Sequence, residues 1–219
     1  MQEHRIAVTR TARVQSVGDL DNARELWVVI HGFGQLAADF VTPFTAIAGP
    51  DRAIIAPEAL NRFYREKESS AGHAGRPVGA TWMTREDRQA EIADYVAYLD
   101  TVALQLGRGR PLTVLGFSQG VSTLMRWVAL GSTPVARVIA WAGELPADVD
   151  LQAHRARIPA SGMDIVIGSV DEYATWINLD SVKARLELAA IPHRVHIFDG
   201  GHRIDRGTLL ELTQTVLTG

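Results

Sequence analysis

The stretch of this chain best equipped for covalent chemistry is a serine between two glycines, Gly116-Phe117-Ser118-Gln119-Gly120. It fits G-x-S-x-G, the pattern of a nucleophile held on a sharp strand-to-helix turn. Small residues are needed two before and two after the serine, because side chains there would collide with neighbouring backbone. Such a turn sets the hydroxyl at the sheet edge, at a helix N-terminus whose free N–H groups favour negative charge. A chance Gly/Ser turn could carry the same five letters, so the flanks decide. Leu112 to Leu115 reads as a short buried strand, and Val121 to Val128 as an apolar helix stopped by Gly131.

A serine hydroxyl needs a base to take its proton and a carboxylate to orient that base. When a nucleophile elbow is present, these follow in the order Ser, Asp or Glu, His, each on a loop after a strand. Downstream, Asp171 lies three residues past a strand ending at Gly168, and His202 follows the last strand after two glycines. Asp199 reads as a turn aspartate but stays an alternative acid, and Glu172 adjoins Asp171 closely enough for an assignment one residue off. Asp164 and His193 sit at strand starts, the wrong sheet end, and His196 lies inside a strand. His4, His73 and His154 read as surface residues. An oxyanion hole would combine the backbone N–H of Gln119 with one from the loop after the Leu26–Ile30 strand, where Phe33 is best situated. His31 reads as a structural residue tying that loop together.

The elements that must position these groups alternate. Leu26–Ile30, Ala53–Ala56, Leu112–Leu115, Arg137–Trp141, Asp164–Gly168 and Arg194–Phe198 read as strands. Helical patterns fall at Ala38–Ala48 around Pro43, from a capping box at Thr84–Asp87 to Gly107, at Trp176–Ala190, and in a terminal segment with Leu209, Leu212 and Val216. Alternating Ile6, Val8, Ala12 and Val14 suggest one long strand or two short ones. Between Glu58 and Gly79 the periodicity is lost, which reads as a long loop. The pattern implies a single α/β domain over residues 1–219 with a mainly parallel central sheet flanked by helices.

Composition narrows the classes. The chain has 219 residues, a formal net charge of −3 and no basic block, which gives no electrostatic footprint for nucleic acid. No cysteine is present, so thiolate metal sites, disulfides and a cysteine nucleophile are excluded. The histidines show no metal-ligand spacing, so no metal is expected. No apolar run approaches a membrane span and no secretory signal is visible, so a cytoplasmic location is the expectation.

Together, His31-Gly-Phe-Gly, Gly116-Phe-Ser-Gln-Gly, Ala142-Gly-Glu-Leu-Pro146, Gly168-Ser-Val-Asp171 and Gly201-His202 resemble the phospholipase/carboxylesterase family of α/β-hydrolases. That group includes bacterial carboxylesterases and acyl-protein thioesterases, and the resemblance runs from about Trp27 to the C-terminus. It implies an α/β-hydrolase fold, a catalytic triad of Ser118, Asp171 and His202, oxyanion donors at Phe33 and Gln119, no cofactor, and hydrolysis of an ester or thioester through an acyl-enzyme. Two positions depart from the pattern. Val121 stands where relatives usually have glycine, and Glu144 where they hold a small or apolar residue, so a Glu144 pointing into the site would favour polar or cationic substrates. Only about twenty residues separate Gly143 from Asp164, too few for a large cap domain. Residues 58–83 are then the expected wall of the mouth, with Phe63, Tyr64, Trp82, Met83 and Glu144 as candidate substrate contacts. An equally simple role for Trp82 and Met83 is to anchor that segment to the core.

The leading expectation is a serine esterase or thioesterase acting on small to medium acyl substrates. The alternatives are a non-catalytic ligand-binding protein on the same scaffold and an acyltransferase using the same triad. The sequence leaves a homodimer open.

Overall fold

In the computed structural model, the described residues are 1–65, 75–173 and 177–214. They begin with β1 (Val14–Val17) and β2 (Glu25–Ile30), then α1 (Ala37–Phe40) running into a 3-10 turn at Thr42–Ala46. Next come β3 (Arg52–Pro57), β4 (Asn61–Tyr64), β5 (Val78–Thr81) and α2 (Arg88–Val102), which is prolonged by a wider π-helical turn at Ala103–Gly107. Then follow β6 (Leu112–Phe117), α3 (Gln119–Leu130), β7 (Arg137–Trp141), β8 (Met163–Gly168), α4 (Leu179–Leu188), β9 (His193–Phe198) and α5 (Arg206–Gln214).

Among the described residues, seven strands form one sheet in the order β1-β3-β2-β6-β7-β8-β9, with β1 antiparallel and the others parallel. The strands are buried on both faces, which is why they read as continuous apolar runs. Alternate residues still serve different layers. Leu26, Val28 and Ile30 of β2 pack with Tyr95 of α2, Leu124 of α3 and Leu186 of α4. Trp27 and Val29 pack on the other face with Phe40 of α1 and Leu209 of α5. Because the six parallel strands run the same way, the loops carrying Phe33, Ser118, Ala142, Asp171 and His202 all emerge at their carboxyl ends, where open α/β sheets bind ligands.

Three expectations are corrected. The N-terminal alternation yields a strand only at Val14–Val17, because its partner β3 stops at Pro57; Ile6 and Val8 are exposed. The segment from 58 to 79 is not all loop. β4 and β5 form an antiparallel ribbon from Asn61↔Thr81 to Tyr64↔Val78. The ribbon buries too little of β4 for a period of two to show. Residues 66–74, the centre of that segment, lie outside the described residues, as do Trp176 and Val216. The capping box at Thr84 does not form: Thr84 Oγ1 accepts from the Glu86 N–H, and α2 starts later behind Asp87, whose carboxylate pairs with Arg5.

At the far end of the sheet Asp164 is fully buried and accepts hydrogen bonds from Arg137 Nε at 2.8 Å, Arg194 Nε at 2.8 Å and His196 Nε2 at 3.0 Å. Burial alone would raise this carboxyl, but the bonds from Arg194 and His196 and the charge of Arg137 hold it below its usual value. A depressed carboxyl stabilises the fold above its unfolded pKa and loses that contribution as pH falls through the lower folded value. Asp164→Asn leaves the buried Arg137 guanidinium uncompensated, for an expected loss of about 3–5 kcal/mol. Urea melts from pH 7 to pH 2 should show this loss at neutral pH and a shallower acid limb in the variant.

Candidate active site

The site is built around the junction of β6 and α3. Ser118 takes φ 54 and ψ −120, a left-handed conformation for a residue with a side chain. Such a backbone costs about 1–3 kcal/mol and persists only where its surroundings hold it. The Ser118 N–H donates to Trp141 O at 2.9 Å, and its carbonyl accepts the Val121 N–H at 2.9 Å. The flanking glycines are required by contact. A Cβ on Gly116 would lie 2.3 Å from Gly120 O, and one on Gly120 would lie 2.2 Å from Ile30 O. Val121 is fully buried, and its side chain stands so close that a Cβ on Gly143 would meet it at 2.5 Å. This departure from the family pattern therefore fits tightly behind the elbow.

The loops after β8 and β9 bring the next two residues together. Gly168 lets them approach, since a Cβ there would fall 2.2 Å from Gly200 O. Asp171 is buried, and His202 Nδ1 donates to its carboxylate at 2.9 and 3.1 Å. The Tyr173 N–H also donates to Asp171, at 2.8 Å. The imidazole lies between Phe117 and Tyr173, with ring centroids 4.7 and 4.6 Å away. The alternative acids are engaged elsewhere: Asp199 accepts from Ser169 Oγ, and Glu172 accepts from the His202 backbone N–H. Ser118 and His202 line one cavity of about 490 Å³, together with Phe33, Gln35, Glu144 and Tyr173. Ser118 Oγ and His202 Nε2 have no hydrogen-bond partner among the described residues, and a serine–imidazole bond often forms only once substrate is bound.

The amides of Phe33 and Gln119 have no acceptor among the described residues, although nearby amides do: Gly34 N–H donates to Ala80 O, Gln35 N–H to Gly32 O, and Ser118 N–H to Trp141 O. His31 explains the first. Its Nε2 accepts the Ala59 N–H at 3.0 Å, so the proton sits on Nδ1, which donates to Gly32 O at 2.7 Å. Gly32 O and the Phe33 N–H belong to one peptide plane and point opposite ways, so fixing the carbonyl aims the amide. Burial holds the His31 imidazole below its ordinary pKa, against the raising effects of the Gly32 bond and Glu58, and so keeps this tautomer neutral. Nearby, Glu58 is buried between Arg13 at 2.8 Å and Arg62 at 2.7 Å, and it also accepts the Ala37 N–H. Burial would raise the Glu58 carboxyl, but the hydrogen bonds from Arg13 and Arg62 hold it low.

Sequence reasoning missed the side chain of Gln119. It accepts the Trp82 N–H at 3.2 Å and donates to Met83 O at 3.1 Å, tying the end of β5 to the start of α3. Of the candidate substrate contacts, Glu144 lines the cavity and the others do not. Trp82 is buried, with its indole N–H donating to His31 O at 2.9 Å, and Met83 packs on the core, so both anchor the ribbon. Phe63 stacks on Phe33 at 5.1 Å between centroids, and Tyr64 lies under the Arg76 guanidinium. Among the described residues no three His, Cys, Asp or Glu side chains are grouped to hold a metal ion, and no helix is long and apolar enough to cross a membrane.

The parallel sheet, the strained serine after its middle strand, and the acid and imidazole on later strand-end loops make this an α/β-hydrolase fold without a large cap. Among solved structures it is similar to the esterase PE8, at 22% identity over 95% of this chain and 100% of that one, with a TM-score of 0.71. A Zea mays acyl-protein thioesterase 2 matches at 16% identity, 93% and 97% coverage and a TM-score of 0.70. A Mesorhizobium loti carboxylesterase matches at 17% identity, 93% and 95% coverage and 0.67. No protein-family model and no curated protein sequence matches the chain. At these identities the likeness is one of fold.

The elbow contacts make a direct test. Gly120→Ala must move α3 away from Ile30 O, an overpacking penalty of about 1–3 kcal/mol. Thermal melts should show the loss, while Gly109→Ala, with open space at its Cβ but a φ of +75, reports backbone strain alone.

Proposed function

We propose that this protein is a serine hydrolase that cleaves carboxylic esters or thioesters of small to medium acyl groups through an acyl-enzyme. The observation that carries the reading is His202, held from behind by Asp171 and lining the same cavity as a strained Ser118 beside two unengaged backbone amides. The fold neighbours named as esterases and thioesterases support it by analogy.

In this mechanism Ser118 Oγ attacks the acyl carbon while its proton passes to His202 Nε2. Asp171, bonded to Nδ1, keeps the imidazole in the tautomer with Nε2 open and stabilises the imidazolium that forms. The carbonyl oxygen becomes an oxyanion held by the Phe33 and Gln119 amides, each worth roughly 10²–10³ in turnover. The C–O or C–S bond then breaks, and the alcohol or thiol leaves with the proton from His202. Water repeats the sequence on the acyl-serine: His202 takes its proton, the hydroxyl joins the acyl carbon, and Ser118 Oγ recovers the proton as the acid departs. The sequence needs no cofactor.

Two experiments test this reading. A fluorophosphonate should add once to the wild-type chain by intact mass, with loss of fluoride, and leave Ser118→Ala unmodified; an unmodified, folded wild type removes the proposal. His31→Ala should lower kcat for an ester by about 10–10³ with a smaller change in KM, because the Phe33 amide loses its aim only where the oxyanion develops.

A further inference from the structure

The cavity has a charge asymmetry that the hydrolytic reading does not use. Glu144 lines it, its side chain is exposed, and the carboxylate makes no hydrogen bond or ion pair among the described residues. No described lysine or arginine lines the same space. The cations near this segment are committed elsewhere. Arg126 and Arg88 pair with Asp148, and Arg185 donates to the carbonyls of Leu145, Pro146 and Val149 at 2.8, 2.9 and 3.1 Å. Those bonds, with Ser122 Oγ donating to Glu144 O at 3.0 Å, hold the carbonyl of Glu144 and the backbone that follows it. The carboxylate is therefore an unneutralised charge on a fixed stem. Aromatic rings share the lining: Phe117, Tyr173 beside His202, and the largely exposed Phe33. Aromatic faces and a carboxylate together suit an ammonium or quaternary ammonium group and oppose a phosphate or sulfonate.

We propose that Glu144 makes this site selective for cationic esters or thioesters, with the positive charge on either side of the bond that is cleaved, against neutral isosteres and anionic substrates. The proposal rests on the hydrolase reading for its kinetic form only. In a cavity this size Glu144 and any bound group sit within about one Debye length of ~10 Å at 0.1 M salt, so the preference should weaken as salt is raised.

The test compares kcat/KM for two matched pairs: acetylthiocholine against 3,3-dimethylbutyl thioacetate, and the p-nitrophenyl esters of 6-aminohexanoate and heptanoate. In the wild type at low salt the cationic member of at least one pair should be favoured by about 3- to 10-fold, as a half-exposed ion pair with a cation–π contact allows. In Glu144→Gln that ratio should fall to near one. Using ratios within each variant removes any general loss of activity. A wild-type ratio at or below one in both pairs, or a preference that survives Glu144→Gln, overturns the proposal. A second arm needs no turnover: choline and 3,3-dimethylbutan-1-ol are titrated into Ser118→Ala and into Ser118→Ala/Glu144→Gln, followed by NMR shifts of residues lining the cavity. Choline binding that exceeds the alcohol and depends on Glu144 upholds the charge selectivity even if no ester is cleaved and no fluorophosphonate adduct forms. Equal binding of the two ligands overturns it.

Discussion

The close approach of α3 to the end of β2 is the constraint on which the site depends. Gly120 lies directly against Ile30 O, and Gly116 against Gly120 O, so the strand, the turn and the helix meet at backbone contact. Ser118 can hold its left-handed backbone because β7 takes its N–H through Trp141 O and the helix takes its carbonyl. The same contact brings the first amide of α3 next to the loop that follows β2. One packing decision thus sets Ser118 and both candidate oxyanion donors on the same cavity.

Buried polar groups do the remaining positioning. His31 is fully buried, yet both its ring nitrogens are matched to backbone partners of opposite character, which fixes its tautomer and the Gly32–Phe33 peptide. Gln119 performs a similar service from the other side, where its side-chain amide holds the end of β5 while its backbone amide stays open. Neither could be replaced by an apolar residue without stranding backbone groups, so these two side chains tie the loop after β2 and the end of β5 in place.

Charge is partitioned along the sheet. At the end away from the site, Asp164 sits among Arg137, Arg194 and His196, and farther around the rim Asp148 is matched by Arg126 and Arg88. Among the described residues Glu144 is the one carboxylate that lines the cavity, and it has no cationic partner there, while Asp171 is engaged with His202. A carboxylate lining its own cavity without a cationic partner is the basis for the proposed discrimination against anionic substrates.

Read as a string, the chain determined its layer architecture, because strands buried on both faces must be continuous apolar runs and helices must repeat every three to four residues. It also determined the nucleophile candidate, since the turn tolerates only small residues around Ser118 and that requirement is local. The β4–β5 ribbon was not legible, because a two-stranded ribbon with little buried surface leaves no period in its sequence. Only the tertiary structure decided that Asp171 rather than Asp199 or Glu172 meets the His202 imidazole, that Trp82 is an anchor and does not line the cavity, and that Glu144 does. Those outcomes depend on which loops are neighbours across the sheet, and neighbours separated by dozens of residues are set by strand order, not by spacing along the chain.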